Sequence, residues 1–419
     1  MDKIHVASVE DSTENVSDQR EDSLVFDPSS PEFLKDPYPT YTELRHRQSV
    51  HHEPLANRWY VTHYQDVQHL LKGRNYAHDL RKASEGTASH TLFKKLGEEQ
   101  LSMLFLDDPE HTRLRKLTNK AFHLPAVEAL YPRIQAIADA LLDQVMGQES
   151  FDVIEVLAAP ISTMVIAEIL GVDSSAWHQF KQWSDADAKG FDPFITEEEQ
   201  KVFFAAQQAL YQFFYQEALK RRQHPQDDLI TRLVHARDGQ DMLTDTETAT
   251  MCQLLIRAGN VTTTDLIGNG ILALLQHPEQ LHLLRQQPEL ITNVVEEILR
   301  YNSSVLEAGR VATEDVEIGG TFIPRGQTIM AALGAANRDP SNVEDPDTFD
   351  ITREKITHCS FGAGAHFCLG APLARAEAKI AIGTLVKRFP SLRLDPTAPI
   401  PPRQIPSFRG ILSLEVLIS

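Results

Sequence analysis

The chain has 419 residues, 42% of them hydrophobic, and a formal net charge of −19. That length and apolar content suffice for a large buried core, and the acidic balance excludes a nucleic-acid binder, whose footprint is a basic patch. No stretch reaches the roughly 18 consecutive apolar residues of a membrane span, and the polar start Met1-Asp2-Lys3-Ile4-His5 lacks the apolar segment of a secretory signal. The expectation is a cytoplasmic protein with no membrane attachment. Cys252, Cys359 and Cys368 are too few, and odd in number, for a disulfide framework.

Residues 1–24 are rich in Asp, Glu and Ser and poor in large apolar groups, which predicts a disordered acidic tail. From residue 25 to 419 no linker-like run interrupts the chain, so one domain is expected. Strand patterns at Ser49–His52 and Arg58–Thr62 form a hairpin around Pro54 and Asn57. Apolar residues at three- and four-residue spacing predict helices over Tyr64–Leu71, Val127–Met146, Glu197–Arg222, Thr244–Gln276 and Leu290–Tyr301. The fourth would be on the order of 50 Å long at 1.5 Å per residue, enough to cross a domain. Short strands are expected at Val316–Ile318, Thr328–Ala332 and Leu412–Leu417, with turns at Gly319-Gly320 and Pro324-Arg325-Gly326. The fold class is mainly α, a large helical domain with small peripheral β-sheets.

The most specific segment is Phe361-Gly362-Ala363-Gly364-Ala365-His366-Phe367-Cys368-Leu369-Gly370. Gly362 and Gly364 imply a tight backbone before the cysteine, and Ala371 to Ala378, with Pro372 in its first turn, reads as a helix. A cysteine at a helix N-terminus is biased toward thiolate, and a thiolate can be an axial ligand to haem iron. Cys252 and Cys359 read as small buried hydrophobes. A zinc site is disfavoured because no CxxC pair accompanies Cys368.

This segment matches Phe-x-x-Gly-x-x-x-Cys-x-Gly, the haem-binding signature of the cytochromes P450, at every fixed position. The resemblance to the soluble bacterial members runs from about Phe26 to the end. It implies haem b (iron protoporphyrin IX) bound through Cys368, and insertion of one oxygen atom of O₂ into a small organic substrate by hydroxylation, epoxidation or demethylation. No flavin or nicotinamide fingerprint occurs, so a separate ferredoxin or flavodoxin would supply electrons, and a monomer is the default. Two alternatives stay open: a peroxide-driven haem-thiolate enzyme, and a non-catalytic haem-binding sensor or carrier.

The same resemblance assigns roles along the chain. Glu297 and Arg300, with Arg353, would form a buried structural network. His111, Arg115, Arg310 and His366 would hold the haem propionates. Ala258-Gly259-Asn260-Val261-Thr262-Thr263 is similar to the oxygen-activating Ala-Gly-x-[Asp/Glu]-Thr-Thr helix. Gly259 would admit the flat ligand, and Thr262 would relay protons. The departure is Val261, which stands where the family usually has a carboxylate. Asn260 with water, Asp265, or a group on the substrate would then supply protons, although Asp265 also reads as a solvated or capping charge.

Arg257, Ala258, Val261, Leu306, Ile411 and Leu412 match substrate-facing positions. Arg257 either holds a substrate anion in bidentate fashion or pairs with an acidic neighbour. Tyr76–Met103 and Ser174–Glu199 match the variable access loops. Arg113, Lys116, Lys120, Arg375 and Lys379 form a basic patch for a redox partner or simply a solvated face.

Overall fold

The computed structural model describes residues 26–98, 101–119, 124–237 and 241–418. The expected acidic tail, 1–24, lies outside the described residues. Helices dominate, and the organising element is Asp245–Gln276, a 32-residue helix. Thr244 caps it reciprocally: the Glu247 N–H donates to Thr244 Oγ1 at 3.0 Å, and the Thr244 N–H donates to the Glu247 carboxylate at 2.8 Å. The helix is buried on nearly every face, because Ala159–Leu170, Trp177–Ala188, Glu197–Gln223 and Ala371–Arg388 all pack on it. A Cβ at Gly270 would lie 2.5 Å from Ile298 Cδ1 and 3.0 Å from Ile382 Cδ1, so this glycine sets how closely the helix approaches Ile291–Tyr301 and the Ala371–Arg388 helix.

Two expected elements differ. Val127–Met146 is not one helix but Leu124–Glu128 followed by Tyr131–Asp143. Pro132 in the first turn of the second helix lacks an N–H and disfavours helical geometry in the residue before it. The last strand is only Glu415–Leu417, paired with Ser150–Asp152 and Arg393–Leu394.

The largest sheet has the strand order Val50–Glu53, Arg58–Val61, Thr328–Ala332, Glu307–Ala312, Tyr76–Ala77. Its hairpin register pairs Val50 with Val61, and Arg58–Val61 runs parallel to Thr328–Ala332. The register places Arg310 opposite Ile329, on a strand that also supplies a wall of the central cavity.

The expected Glu297 network is present. Glu297 accepts from Arg300 Nε and Nη2 at 2.8 and 2.7 Å and from Arg353 Nε at 3.1 Å, and Arg300 also donates to the carbonyls of Pro346 and Thr348. Both Glu297 and Arg300 are fully buried. The pair therefore ties the Ile291–Tyr301 helix to the loop that leads into the cysteine segment.

Candidate active site

The cysteine loop folds as its glycines require. Gly362 and Gly364 take φ of 67° and 74°, a region that disfavours other residues. A Cβ at Gly364 would also stand 2.9 Å from the Leu71 carbonyl. The loop is closed by the Cys368 N–H donating to the Phe361 carbonyl at 2.9 Å. Cys368 then lies two residues before Gly370, the cap of the Ala371–Arg388 helix. The sulfur's accessible surface opens into a cavity of about 430 Å³, deep within the protein and not on its outside. Burial pushes the thiol up, and the N–H groups of Gly370 and Ala371, with Arg115 and Arg375, offset only part of that. The backbone N–H groups thus bias the sulfur toward thiolate, the direction the sequence predicts, against a larger opposing effect of burial. A cation bound at the sulfur would supply what the dipole lacks.

One rim of the cavity gathers cationic and imidazole groups. His366 is stacked between His78, at 3.4 Å between ring centroids, and His111, at 3.8 Å. Arg310 is buried, and among the described residues its guanidinium donates only to the neighbouring Gly309 carbonyl. Arg115 donates to the Phe367 carbonyl at 2.8 Å and to Asn119. The nearest acids are engaged elsewhere or distant. Asp107 accepts from Lys82 at 2.7 Å and from the backbone N–H groups of His78 and Asp79, while Asp108 stands 4.0 Å from His111. Burial, together with His111 and Arg310, pulls His366 down to about 3, and burial pulls Arg310 down to about 10. His111 Nε2 is buried without a hydrogen-bond partner. A buried rim rich in donors and short of acceptors fits an anionic ligand edge such as the two propionates of haem. His111, Arg115, Arg310 and His366 all line this cavity, and so does His78, which sequence reasoning missed.

The opposite wall is the long helix. Ala258, Gly259 and Thr262 are the residues of its central turns that are not buried, and all three line the cavity. Thr262 Oγ1 donates to the Ala258 carbonyl at 2.6 Å, which leaves its lone pairs for a partner in the cavity. A Cβ on Gly259 would reach Ile166 Cγ1 at 3.4 Å, so the glycine also accommodates the Ala159–Leu170 helix. Val261 is buried with Ala188 and Ile405, and Phe408 packs against them.

The residues weighed as substitutes for an acid lie elsewhere. Asn260 faces the Ala159–Leu170 helix, where its Oδ1 accepts from Thr163 at 3.0 Å, and it does not line the cavity. Asp265 is neither solvated nor a cap: it is fully buried and accepts from Arg403 Nε and Nη2 at 2.9 and 2.8 Å. Arg257 does pair with an acid, donating from Nη1 to Asp187 at 2.8 Å, and it also lines the cavity.

Three expected substrate contacts are displaced. Leu306 packs among Phe33, Tyr41 and Tyr60, away from the cavity. Ile411 is buried against Gly268, and Leu412 is 49% exposed. The bridges Ile405↔Phe408 and Pro402↔Ile411 form a small hairpin whose tip, Ser407 and Phe408, is what reaches the cavity. Of the basic patch, Arg113 is held by Glu247 and Asp241, and Arg375 by Glu296 at 2.6 Å. Lys120 lies outside the described residues. Sequence reasoning also missed Glu377, which lines the cavity with Oε2 unpartnered, its carboxyl pushed well up by burial. A glutamate on an otherwise apolar helix face was the available signal.

Comparison with known proteins agrees with this site. The family model described as Cytochrome P450 matches residues 56–287 and 282–418. The biotin biosynthesis cytochrome P450 of Bacillus subtilis is 41% identical over 371 residues, covering 87% of this chain and 92% of that protein. The 6-deoxyerythronolide B hydroxylase of Saccharopolyspora erythraea is 37% identical over 383 residues, covering 89% and 93%. The crystal structure of P450BioI in complex with hexadec-9Z-enoic acid ligated acyl carrier protein has a TM-score of 0.86 and 39% identity, covering 94% of this chain and 100% of that one. With the signature loop, the cationic rim and these relatives in agreement, the chain belongs to the cytochrome P450 family of haem-thiolate monooxygenases.

Proposed function

We propose that this protein binds haem b through Cys368 and inserts one oxygen atom of O₂ into a small, largely aliphatic substrate by hydroxylation, epoxidation or demethylation. The observation that carries the reading is the Cys368 thiol facing a cavity whose rim presents Arg115, Arg310, His111 and His366, while the nearby carboxylates Asp107 and Asp108 are respectively held by Lys82 and 4.0 Å from His111. Those four groups would hold the propionates, and His78 would add a fifth donor. When bound, haem supplies the oxygen activation itself. A separate ferredoxin or flavodoxin delivers the electrons, residues 25–419 act as one domain, and the protein works as a monomer.

The chain's own residues orient substrate and manage protons. Thr262 Oγ1, its hydrogen committed to the Ala258 carbonyl, turns its lone pairs to the cavity and can orient a donor or a water there. Of the carboxyl groups lining the cavity, Glu307 is paired with Arg58 at 3.2 Å, whereas Glu377 has no such partner and burial pushes its carboxyl well up. Leu254, Leu255, Ile166 and Phe408 exclude water from the substrate space. A second reading, peroxide-driven turnover, is supported by one observation: Val261 and its apolar neighbours leave no carboxylate at the position that usually feeds protons to Thr262.

The decisive experiment is the spectrum of the ferrous–CO complex. A far red-shifted Soret band is expected for wild type and not for Cys368→Ser, whose oxygenase activity should fall to background. An unshifted band in freshly prepared wild type would overturn the thiolate assignment.

A further inference from the structure

The cavity roof holds one guanidinium whose charge is only half used. Arg257 is 8% exposed and lines the cavity. Behind it sits Asp187, fully buried and absent from the cavity wall, which accepts from Arg257 Nη1 alone at 2.8 Å. No other hydrogen bond to this guanidinium occurs among the described residues, so its Nε–Nη2 edge is uncommitted. That edge is the fork that matches a carboxylate in bidentate geometry. The Phe191 ring lies 5.1 Å from the guanidinium carbon and limits its swing.

A second, independent observation points the same way. Lys95 is half-buried, lines the same cavity, and donates to the Asp192 backbone carbonyl at 3.2 Å. Among the described residues its ammonium forms no ion pair, and burial pulls it down. Arg257 and Lys95 both touch the segment 187–192, from opposite elements of the fold. Against these two cations stands Asp187, with the Asp192 carboxylate accepting the Phe194 N–H and opposing Lys95 only at longer range. With Asp187 and Asp192 the local charges cancel formally, but neither carboxylate engages the Nε–Nη2 edge of Arg257. The surroundings are Leu92, Ile166, Leu254 and Leu255, which have no use for charge.

We infer that Arg257, oriented from behind by Asp187 and assisted by Lys95, anchors a carboxylate on the substrate, so that the substrate class is aliphatic carboxylic acids. This rests on the haem-thiolate reading, since the Soret band reports the binding. Asp187 acts as a positioning residue: it fixes the guanidinium plane without touching substrate. The anchored carboxylate holds one end of the molecule at the roof and directs the distant aliphatic carbons toward Thr262 and Cys368.

The test is ligand titration of the holoenzyme with dodecanoate, methyl dodecanoate and dodecanol, read by the Soret shift and by calorimetry. Wild type should bind the acid about 10–100-fold tighter than the ester or the alcohol, the range of a lost charge-assisted bidentate contact. Arg257→Gln should bring that ratio to about one, and Lys95→Met should lower it by roughly threefold, within the range of a single partly exposed charge. Imidazole, which needs only the haem, should bind wild type and variants alike. Equal affinity of acid and ester in wild type overturns the anchor without any variant, as does an undiminished ratio in Arg257→Gln. Failure of imidazole to shift the Soret band of wild type overturns the haem reading beneath it and is told apart in that way.

Discussion

Buried arginines at the cavity rim and along the long helix are balanced in opposite ways. At the rim, Arg310 and Arg115 are desolvated beside three imidazoles, and their hydrogen bonds among the described residues go to neutral oxygens. Along the long helix each arginine has a built-in carboxylate: Arg403, which does not line the cavity, with Asp265 and Asp185, and Arg257, which does, with Asp187. Burying a cation without a counterion costs several kcal/mol. The fold bears that cost where a ligand brings the anion, and avoids it where the charge serves packing alone. Arg257 is intermediate, since only one of its donors is taken, and that is why it is the roof residue expected to meet substrate.

Breaking a pair along the long helix is the largest test of this contrast. Asp265→Ala leaves the buried Arg403 only Asp185, 3.6 Å away, and should destabilise the protein by about 3–5 kcal/mol in chemical denaturation. The double change Asp265→Leu with Arg403→Met should recover most of that loss. If it does not, the pair does more than neutralise itself.

At the rim the sign should reverse. Arg310→Leu removes a desolvated cation, so the haem-free protein should be as stable as wild type or more so. Haem loss to a scavenger protein should rise by about 10–100-fold, the equivalent of one charge-assisted hydrogen bond of roughly 1.5–3 kcal/mol. An Arg310 variant that destabilises the haem-free protein as much as Asp265→Ala would erase the distinction between the two regions.

The smallest effect lies beside the cysteine helix. Burial raises the Glu296 carboxyl, but hydrogen bonds from Arg375 and His358 outweigh it and hold the group down at about 2. A depressed carboxylate contributes stability above its unfolded value of about 4.3 and loses it as pH falls toward 2. Glu296→Gln should therefore flatten the stability profile between about pH 4 and 2 by on the order of 1–2 kcal/mol, allowing for its partial exposure. Above pH 5 the profile should keep its shape.

What sequence determined by itself is local. The cysteine loop was legible because two positive-φ glycines, a sulfur and a helix start lie within ten residues, and their geometry depends on little else. The long helix was legible from the three- and four-residue apolar spacing over Thr244–Gln276, and the structure adds its Thr244–Glu247 cap. The Glu297–Arg300 pair was expected from the family resemblance, and only the structure shows the carbonyls of Pro346 and Thr348 that complete it.

What tertiary structure alone decided is which way each buried side chain faces. In a helix with one apolar stripe, period reveals the buried face; in Asp245–Gln276 nearly every face is buried, so period cannot single out the cavity side. Asn260 therefore turns to a neighbouring helix, whereas Val261, although packed with Ala188 and Ile405, and Thr262 both line the cavity. The counterions of Arg257 and Asp265 are 70 and 138 residues away, beyond any local pattern. Charge pairing inside a core is a matter of distance through space, and chain order carries that information only through the fold.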